Sequence, residues 1–130
     1  MAEDDAPVND PAIRVTMMPR DTNAHGTIFG GTLLAYVDQA GGVATRPYCD
    51  LVVTVKMTEV VFHEPVFVGD LVSFYAEAIK RGTTSVTVKV EVEAVRPGRQ
   101  HTKVKVTEAE VVYVQVDERG RPIPLEAPQP

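Results

Sequence analysis

The run Asp21-Thr22-Asn23-Ala24-His25-Gly26-Thr27-Ile28-Phe29-Gly30-Gly31 is the densest cluster of polar and conformationally free residues in this 130-residue chain. Two glycines at a helix start leave backbone N–H groups free at the positive end of the helix dipole, where an oxyanion or phosphate can be held. A flexible entry turn would use the same pair. Asp38 follows on the helix, beside Leu34 and Gly41 at the edge of the apolar stripe. A carboxylate there must be satisfied, and it suits general-base work with an amide such as Asn23 to orient it or a water. The alternative is a solvated aspartate on a helix flank. Asp38 lies about 10 Å along the helix axis from Gly31. One reacting carbonyl could meet both only if the substrate or a second chain bridged that gap.

Lys80-Arg81-Gly82-Thr83-Thr84-Ser85 combines two cations with three hydroxyls in a turn, a tip that could hold phosphates or serve as a soluble hairpin. Arg96, Arg99, His101, Lys103 and Lys105 read as a solvated strand face. Other catalytic templates fail. Ser73 and Ser85 are the only serines, and neither stands in a G-x-S-x-G elbow. Cys49 reads as a plain loop or core thiol, and His25, His63 and His101 lack metal-ligand spacing. No phosphate-binding glycine loop of the nucleotide-binding kinds occurs.

These residues need elements to position them. Leu33, Val37, Ala40 and Ala44 follow helical spacing, which predicts one long helix from Thr32 to about Thr45, with Thr32 near its N-cap and Arg46-Pro47 ending it. Gly41 and Gly42 inside it cost about 1 kcal/mol each against alanine, which points to close approach by another backbone. After the helix the period changes to two. Val86, Val88, Val90 and Val92 alternate with Thr87, Lys89, Glu91 and Glu93, a strand with one apolar and one wet face. Leu51–Glu59, Val72–Lys80 and Val104–Val116 are further strands, and a short one spans Ile13–Met18. The phase of the last long strand shifts around Thr107-Glu108, predicting a bulge. Turns at Gly69-Asp70, Arg81-Gly82 and Pro97-Gly98 join strand to following strand. The expected fold class is α+β, a curved antiparallel sheet wrapped around one helix.

The size predicts a single domain, from about 13 to 119. Residues 1–12 read as a disordered acidic arm, and residues 120–130 as a proline-rich tail, extended or disordered. Hydrophobic residues at 44% and charged residues at 24% are ordinary globular values. Net charge is −5, but Glu3, Asp4, Asp5 and Asp10 carry most of it, so the rest of the chain is nearly neutral. A basic surface for nucleic acid is lacking. With no apolar run of membrane-spanning length, no secretory leader and a single cysteine, a cytoplasmic protein with no membrane partner is expected.

Asp21-x-Asn23-x-x-Gly26-x-x-x-Gly30-Gly31, then Asp38, then Pro65-Val66-x-x-Gly69-Asp70 and Gly82-Thr83-Thr84-Ser85, resemble in order and spacing the acyl-CoA thioesterases of the hotdog fold, in their YciA-like branch. The brain-type acyl-CoA hydrolases look like a fused duplicate of this unit. The resemblance implies hydrolysis of acyl-CoA to a free acid and CoA in fatty acid metabolism. CoA is then part of the substrate and product, with no resident cofactor and no metal. It also implies a homodimer with a continuous sheet, assembled as a trimer of dimers. Asn23 of one chain would face Asp38 of the other. By the same likeness Gly30 and Gly31 polarise the thioester carbonyl, and the CoA phosphates lie near Arg81, Gly82, Thr83, Thr84 and Ser85. Asp38 would activate water or attack as a nucleophile. Two other readings are a hotdog 3-hydroxyacyl-thioester dehydratase, which needs a histidine paired with a carboxylate, and a non-catalytic acyl-CoA-binding module.

Overall fold

The computed structural model describes residues 10–98 and 102–125. Its centre is the valine ladder. Val86, Val88, Val90, Val92 and Ala94 on β4 (Ser85–Val95) are all fully buried, while the intervening residues face the other side of the sheet. β4 lies between β3 (Leu71–Arg81) and β5 (Lys103–Gln115) in an antiparallel five-stranded sheet. The edges are β1 (Ile13–Thr16), paired with β3, and β2 (Val52–Phe62), paired with β5.

The helix α1 (Gly30–Ala44) covers one face of this sheet. Its buried side is Leu33, Val37, Ala40 and Gly41, the stripe its spacing predicted, with Leu34 and Ala44 packed at the margins. Tyr36 meets Phe74 of β3 with ring centroids 5.4 Å apart. The helix begins two residues before the expected Thr32, because the cap is a carbonyl and not a hydroxyl. Phe29 is extended, and its carbonyl accepts from the N–H groups of Thr32 and Leu33. At the other end the Thr45 hydroxyl donates to the Gly42 carbonyl, closing the last turn before Arg46-Pro47.

Strand follows strand as expected through β3, β4 and β5, but β2 and β3 are not neighbours. The connection 63–70 crosses the end of the sheet instead, where the Ile28 N–H donates to Val66 and Thr27 bridges to Phe67. Asp70 organises this crossing. Its buried carboxylate accepts from the Phe67 N–H at 3.0 Å and faces Arg96 at 3.8 Å.

The phase shift in β5 is a bulge. Val92 pairs with Thr107 and Glu93 with Lys105, so Val106 is extra, and Val106 and Thr107 are both buried. β2 carries two register breaks of its own, after Thr54 and after Thr58, with Glu59 in the left-handed region at φ 54°.

Residues 1–9 of the expected acidic arm and 126–130 of the expected tail fall outside the described residues. The domain boundary expected at Arg119 moves outward. Leu125 donates to Thr83, Ile123 donates to Gln115, and the Gln115 amide donates to the Pro124 carbonyl. Prolines lack the N–H but keep the acceptor, and that acceptor pins the segment. At the other boundary Ala12 already bonds to Phe74. Among the described residues no helix is long and apolar enough to cross a membrane.

Candidate functional site

Asn23 shapes the loop before the helix. Its side-chain oxygen accepts from the His25 and Thr27 N–H groups at 2.8 and 3.2 Å, and its amide donates to the Thr27 hydroxyl at 2.9 Å. Such a self-bonded turn is what asparagine does well. Gly26, at φ 84°, supplies the left-handed residue this tight loop requires. The loop then feeds the helix through Phe29, whose N–H donates to Asp21.

At the helix start the Gly30 and Gly31 N–H groups have no acceptor among the described residues, since the first residues of a helix have no helical carbonyl one turn earlier to receive them. A cavity of about 280 Å³ opens beside Gly30, lined by Ile28, Leu33, Phe62, Pro65 and Val66 together with His63 and Glu64. The two glycines differ. A Cβ on Gly30 would press on the Phe62 ring at 3.2 Å, whereas a Cβ on Gly31 would meet nothing within 4 Å. Gly30 therefore lets an aromatic wall close over the helix end, and Gly31 leaves its amide open.

Asp38 is held from two sides. The Thr54 hydroxyl of β2 donates to Asp38 Oδ1 at 2.6 Å, and the Tyr113 hydroxyl of β5 donates to the Asp38 main-chain carbonyl at 2.6 Å. Burial first, then the Asp38 charge and hydrogen bond, push the Tyr113 phenol well above the ordinary tyrosine range. Tyr113 therefore stays a neutral donor. Tyr113 OH occupies the space that a side chain at Gly41 would fill. The close approach expected at Gly41 is thus made by a side chain and not by a backbone, and Gly42 has open space around its Cβ position.

No hydrogen bond joins Asn23 to Asp38 within the chain, since the partners of each lie elsewhere. The Arg81–Ser85 turn is also apart from the glycine pair. Arg81 stacks on Tyr48, just past the helix C-terminus, at 4.8 Å from the ring centre. A 15-residue helix separates that end from Gly30 by about 22 Å. Within the turn Gly82 donates to the Ser85 carbonyl, and Thr83 and Thr84 accept from Leu125 and Gln115. One chain therefore supplies three separate pieces: two free amides, a carboxylate on the helix flank and a basic hydroxylated turn.

The sequence matches the family model of the Thioesterase superfamily over residues 25–101. The chain belongs to this superfamily. It is 40% identical over 125 residues to the acyl-CoA thioester hydrolase YciA of Salmonella typhimurium, with 94% of each chain covered. Among solved structures it is similar to a hexameric hotdog fold thioesterase of Campylobacter jejuni, at 41% identity, a TM-score of 0.85 and 91% of each chain. It is also similar to a hexameric thioesterase from Yersinia pestis, at 38% identity and a TM-score of 0.87, covering 93% of this chain and 99% of that one. The one helix packed on a five-stranded antiparallel sheet is the hotdog fold.

Two side chains of this thioesterase domain escaped sequence reasoning: Thr54 and Tyr113. Their only signal was a polar or aromatic residue on a valine-rich strand, which strands carry for many reasons. Of the histidines, His101 lies outside the described residues, and neither His25 nor His63 bonds to the Asp38 carboxylate. His25 is exposed in the Asn23 loop, and His63 turns to Glu108, its Nε2 3.8 Å from the carboxylate, beside Lys105. Cys49 is buried. Among the described residues no cluster of three or more potential ligands could hold a metal.

Proposed function

We propose that this chain hydrolyses acyl-CoA thioesters, as its similarity to named acyl-CoA thioester hydrolases suggests. The observation that carries the reading is Asp38: its Oδ1 accepts from the Thr54 hydroxyl, and its carboxylate stands beside the Tyr113 phenol, whose upward shift it contributes to. It stands on the helix flank next to β2, whose outer edge is unpaired and exposes Val53, Val55, Val61 and Phe62. A second copy pairing along this edge would extend the sheet and bring its own Asn23 loop toward Asp38. Hexamers are described for similar thioesterases, which fits an oligomer, and a trimer of such dimers accounts for six copies.

In this mechanism the thioester carbonyl oxygen takes hydrogen bonds from the free amides at Gly30 and Gly31, which are aligned with the helix dipole. Asp38 removes a proton from water, the new C–O bond forms, and the negative charge collects on the carbonyl oxygen. Collapse of this intermediate breaks the C–S bond. A thiol with a pKa of about 8.5 departs readily as thiolate, so a strong general acid is unnecessary. The proton held by Asp38 then returns to sulfur or to solvent. The CoA phosphates are assigned to the Arg81–Ser85 turn, which lies toward the opposite end of the helix from Gly30.

A dehydratase would need a histidine working with the carboxylate, and His63, which lines the cavity beside Gly30, has Glu108 and not Asp38 as its carboxylate neighbour, at 3.8 Å. Thiol release from acyl-CoAs ranging from acetyl to long-chain tests the proposal. Hydrolysis liberates thiol, whereas dehydration and simple binding do not. Asp38→Asn should abolish release while leaving thermal unfolding unchanged. Full activity in that variant would overturn the assignment of Asp38.

A further inference from the structure

Gln115, the last residue of β5, is 2% exposed although its side chain is polar. Its side-chain oxygen accepts from the Asp50 N–H at 2.8 Å, and its side-chain amide donates to the Pro124 carbonyl at 2.6 Å. The amide cannot be turned round, since a backbone N–H only donates and a proline carbonyl only accepts. The main chain of the same residue makes two more bonds. Its N–H donates to the Thr84 carbonyl at 2.9 Å, and its carbonyl accepts from the Ile123 N–H at 2.9 Å.

These bonds converge on the Arg81–Ser85 turn from two sides. Asp50 closely follows Tyr48, on whose ring the Arg81 guanidinium rests at 4.8 Å. Pro124 precedes Leu125, whose N–H donates to the Thr83 carbonyl at 2.9 Å. The carbonyls of Thr83 and Thr84, at the middle of the turn, are thus both held toward the tail and β5. That matters for an anion. A phosphate is repelled by carbonyl oxygens and held by N–H groups, hydroxyls and guanidinium, and Arg81, Gly82 and Thr83 stand exposed once the carbonyls are committed elsewhere. An apolar side chain at 115 would fill the same space with no buried polar atoms to satisfy. What the amide adds is direction: it fixes the Tyr48 loop, the tail and the turn relative to one another.

We infer that Gln115 is a positioning residue for the nucleotide end of CoA, acting on Arg81 through the Tyr48 loop and on Thr83 and Thr84 through the segment 116–125. This rests on the reading of the Arg81–Ser85 turn as the phosphate site. The turn stands toward the far end of the helix from Gly30, so loosening it should weaken the hold on the phosphates and leave the hydrolytic step alone. The expected loss is that of one charge-assisted hydrogen bond, about ten-fold in KM.

The test is steady-state thiol release from two thioesters of the same acyl group, acyl-CoA and acyl-pantetheine, the second of which lacks the nucleotide and every phosphate. The proteins are wild type, Gln115→Met, Arg81→Met and a chain ending at Ile123, each with its thermal midpoint. Methionine keeps the length of glutamine without its polar atoms. The shortened chain removes the Pro124 acceptor and the Leu125 donor without touching the sheet, and it decides the matter should Gln115→Met fail to fold. For Gln115→Met and the shortened chain, KM for acyl-CoA should rise about ten-fold with kcat within about two-fold, and kcat/KM for acyl-pantetheine should hold within about two-fold. A merely structural lesion would instead affect both substrates alike. Equal losses on the two substrates, or a wild-type KM for acyl-CoA, overturn the inference when Arg81→Met raises that KM. A wild-type KM in Arg81→Met overturns the placing of the phosphates at the turn, so the two failures are told apart.

Discussion

The Tyr113 hydroxyl reaches the main-chain carbonyl of Asp38 at 2.6 Å through a gap that exists because residue 41 is glycine. The phenol is almost fully buried, and its oxygen sits where the Cβ of any other residue at 41 would lie. The arrangement ties the middle of the helix to β5, across 75 positions of sequence. It places Asp38 at a fixed height above β2.

Gly41→Ala should therefore destabilise the fold even though alanine is the better helix former. Forcing a methyl into a filled site costs about 1–3 kcal/mol, which exceeds the gain of about 1 kcal/mol in helix propensity. Tyr113→Phe removes the hydrogen bond alone and should cost about 0.5–1.5 kcal/mol. Combining the two should cost less than their sum, since the phenol oxygen that clashes is gone. Denaturant melts of the three variants measure this. A Gly41→Ala protein as stable as wild type would show that the contact is not tight.

The parts of this structure that were legible in sequence are those set by local period. The Val86–Val92 alternation and the Leu33–Val37–Ala40 stripe each bury one face, and a period of two or 3.6 cannot do so in another conformation. The order of strands was not legible. Gly69-Asp70 signals a turn, but a turn residue does not tell whether the chain reverses beside its own strand or crosses the sheet, as 63–70 does. Gly41 announced a close approach without naming Tyr113. Thr54 was invisible because its reach to Asp38 depends on a register break after position 54, a property of the β2–β5 pairing and not of either strand alone.

The contrast between Gly30 and Gly31 gives a second expectation. Gly31→Ala has open space within the chain, and alanine gains up to about 1 kcal/mol in a helix, so stability should hold or rise. If its amide receives the thioester carbonyl, the added methyl intrudes on the substrate, and kcat/KM should fall by about ten-fold or more. Gly30→Ala, pressing on Phe62, should lower both stability and activity. A Gly31→Ala enzyme of full activity would remove Gly31 from the oxyanion site.

The charged face of the sheet supplies a pH prediction. A hydrogen bond from Lys105 holds Glu108 below the usual carboxylate range, against an opposing effect of desolvation. Hydrogen bonds to Glu108 and Glu91 raise Lys105 in turn. The depressed carboxylate stabilises the fold above its unfolded pKa of about 4.3 and loses that contribution as pH falls through its folded value. The raised amine contributes below about 10.4 and is lost as pH rises through its own folded value. NMR titration should find the Glu108 midpoint shifted down in wild type and returned toward the ordinary carboxylate value in Lys105→Met. An unchanged midpoint would mean that the pair does not persist in solution.

The division of the site between copies makes the last prediction. Among the described residues Asn23 is bonded only within its own loop, and Asp38 is bonded to Thr54 beside the open edge of β2, so the two do not meet inside one chain. If a two-fold dimer joins Asn23 of one copy to Asp38 of its partner, Asn23→Ala and Asp38→Asn each disable every site of their own homodimers. A mixed dimer is different. One of its two sites takes Asn23 from the Asp38→Asn chain and Asp38 from the Asn23→Ala chain, and is intact. Co-expression in equal amounts with random pairing makes half of the dimers mixed, which should restore about a quarter of wild-type activity from two inactive parents. Differently tagged chains allow the mixed species to be purified, and it should then approach half. A mixture no more active than the parents would place Asn23 and Asp38 in the same chain's site, and the second copy would then not complete the chemistry.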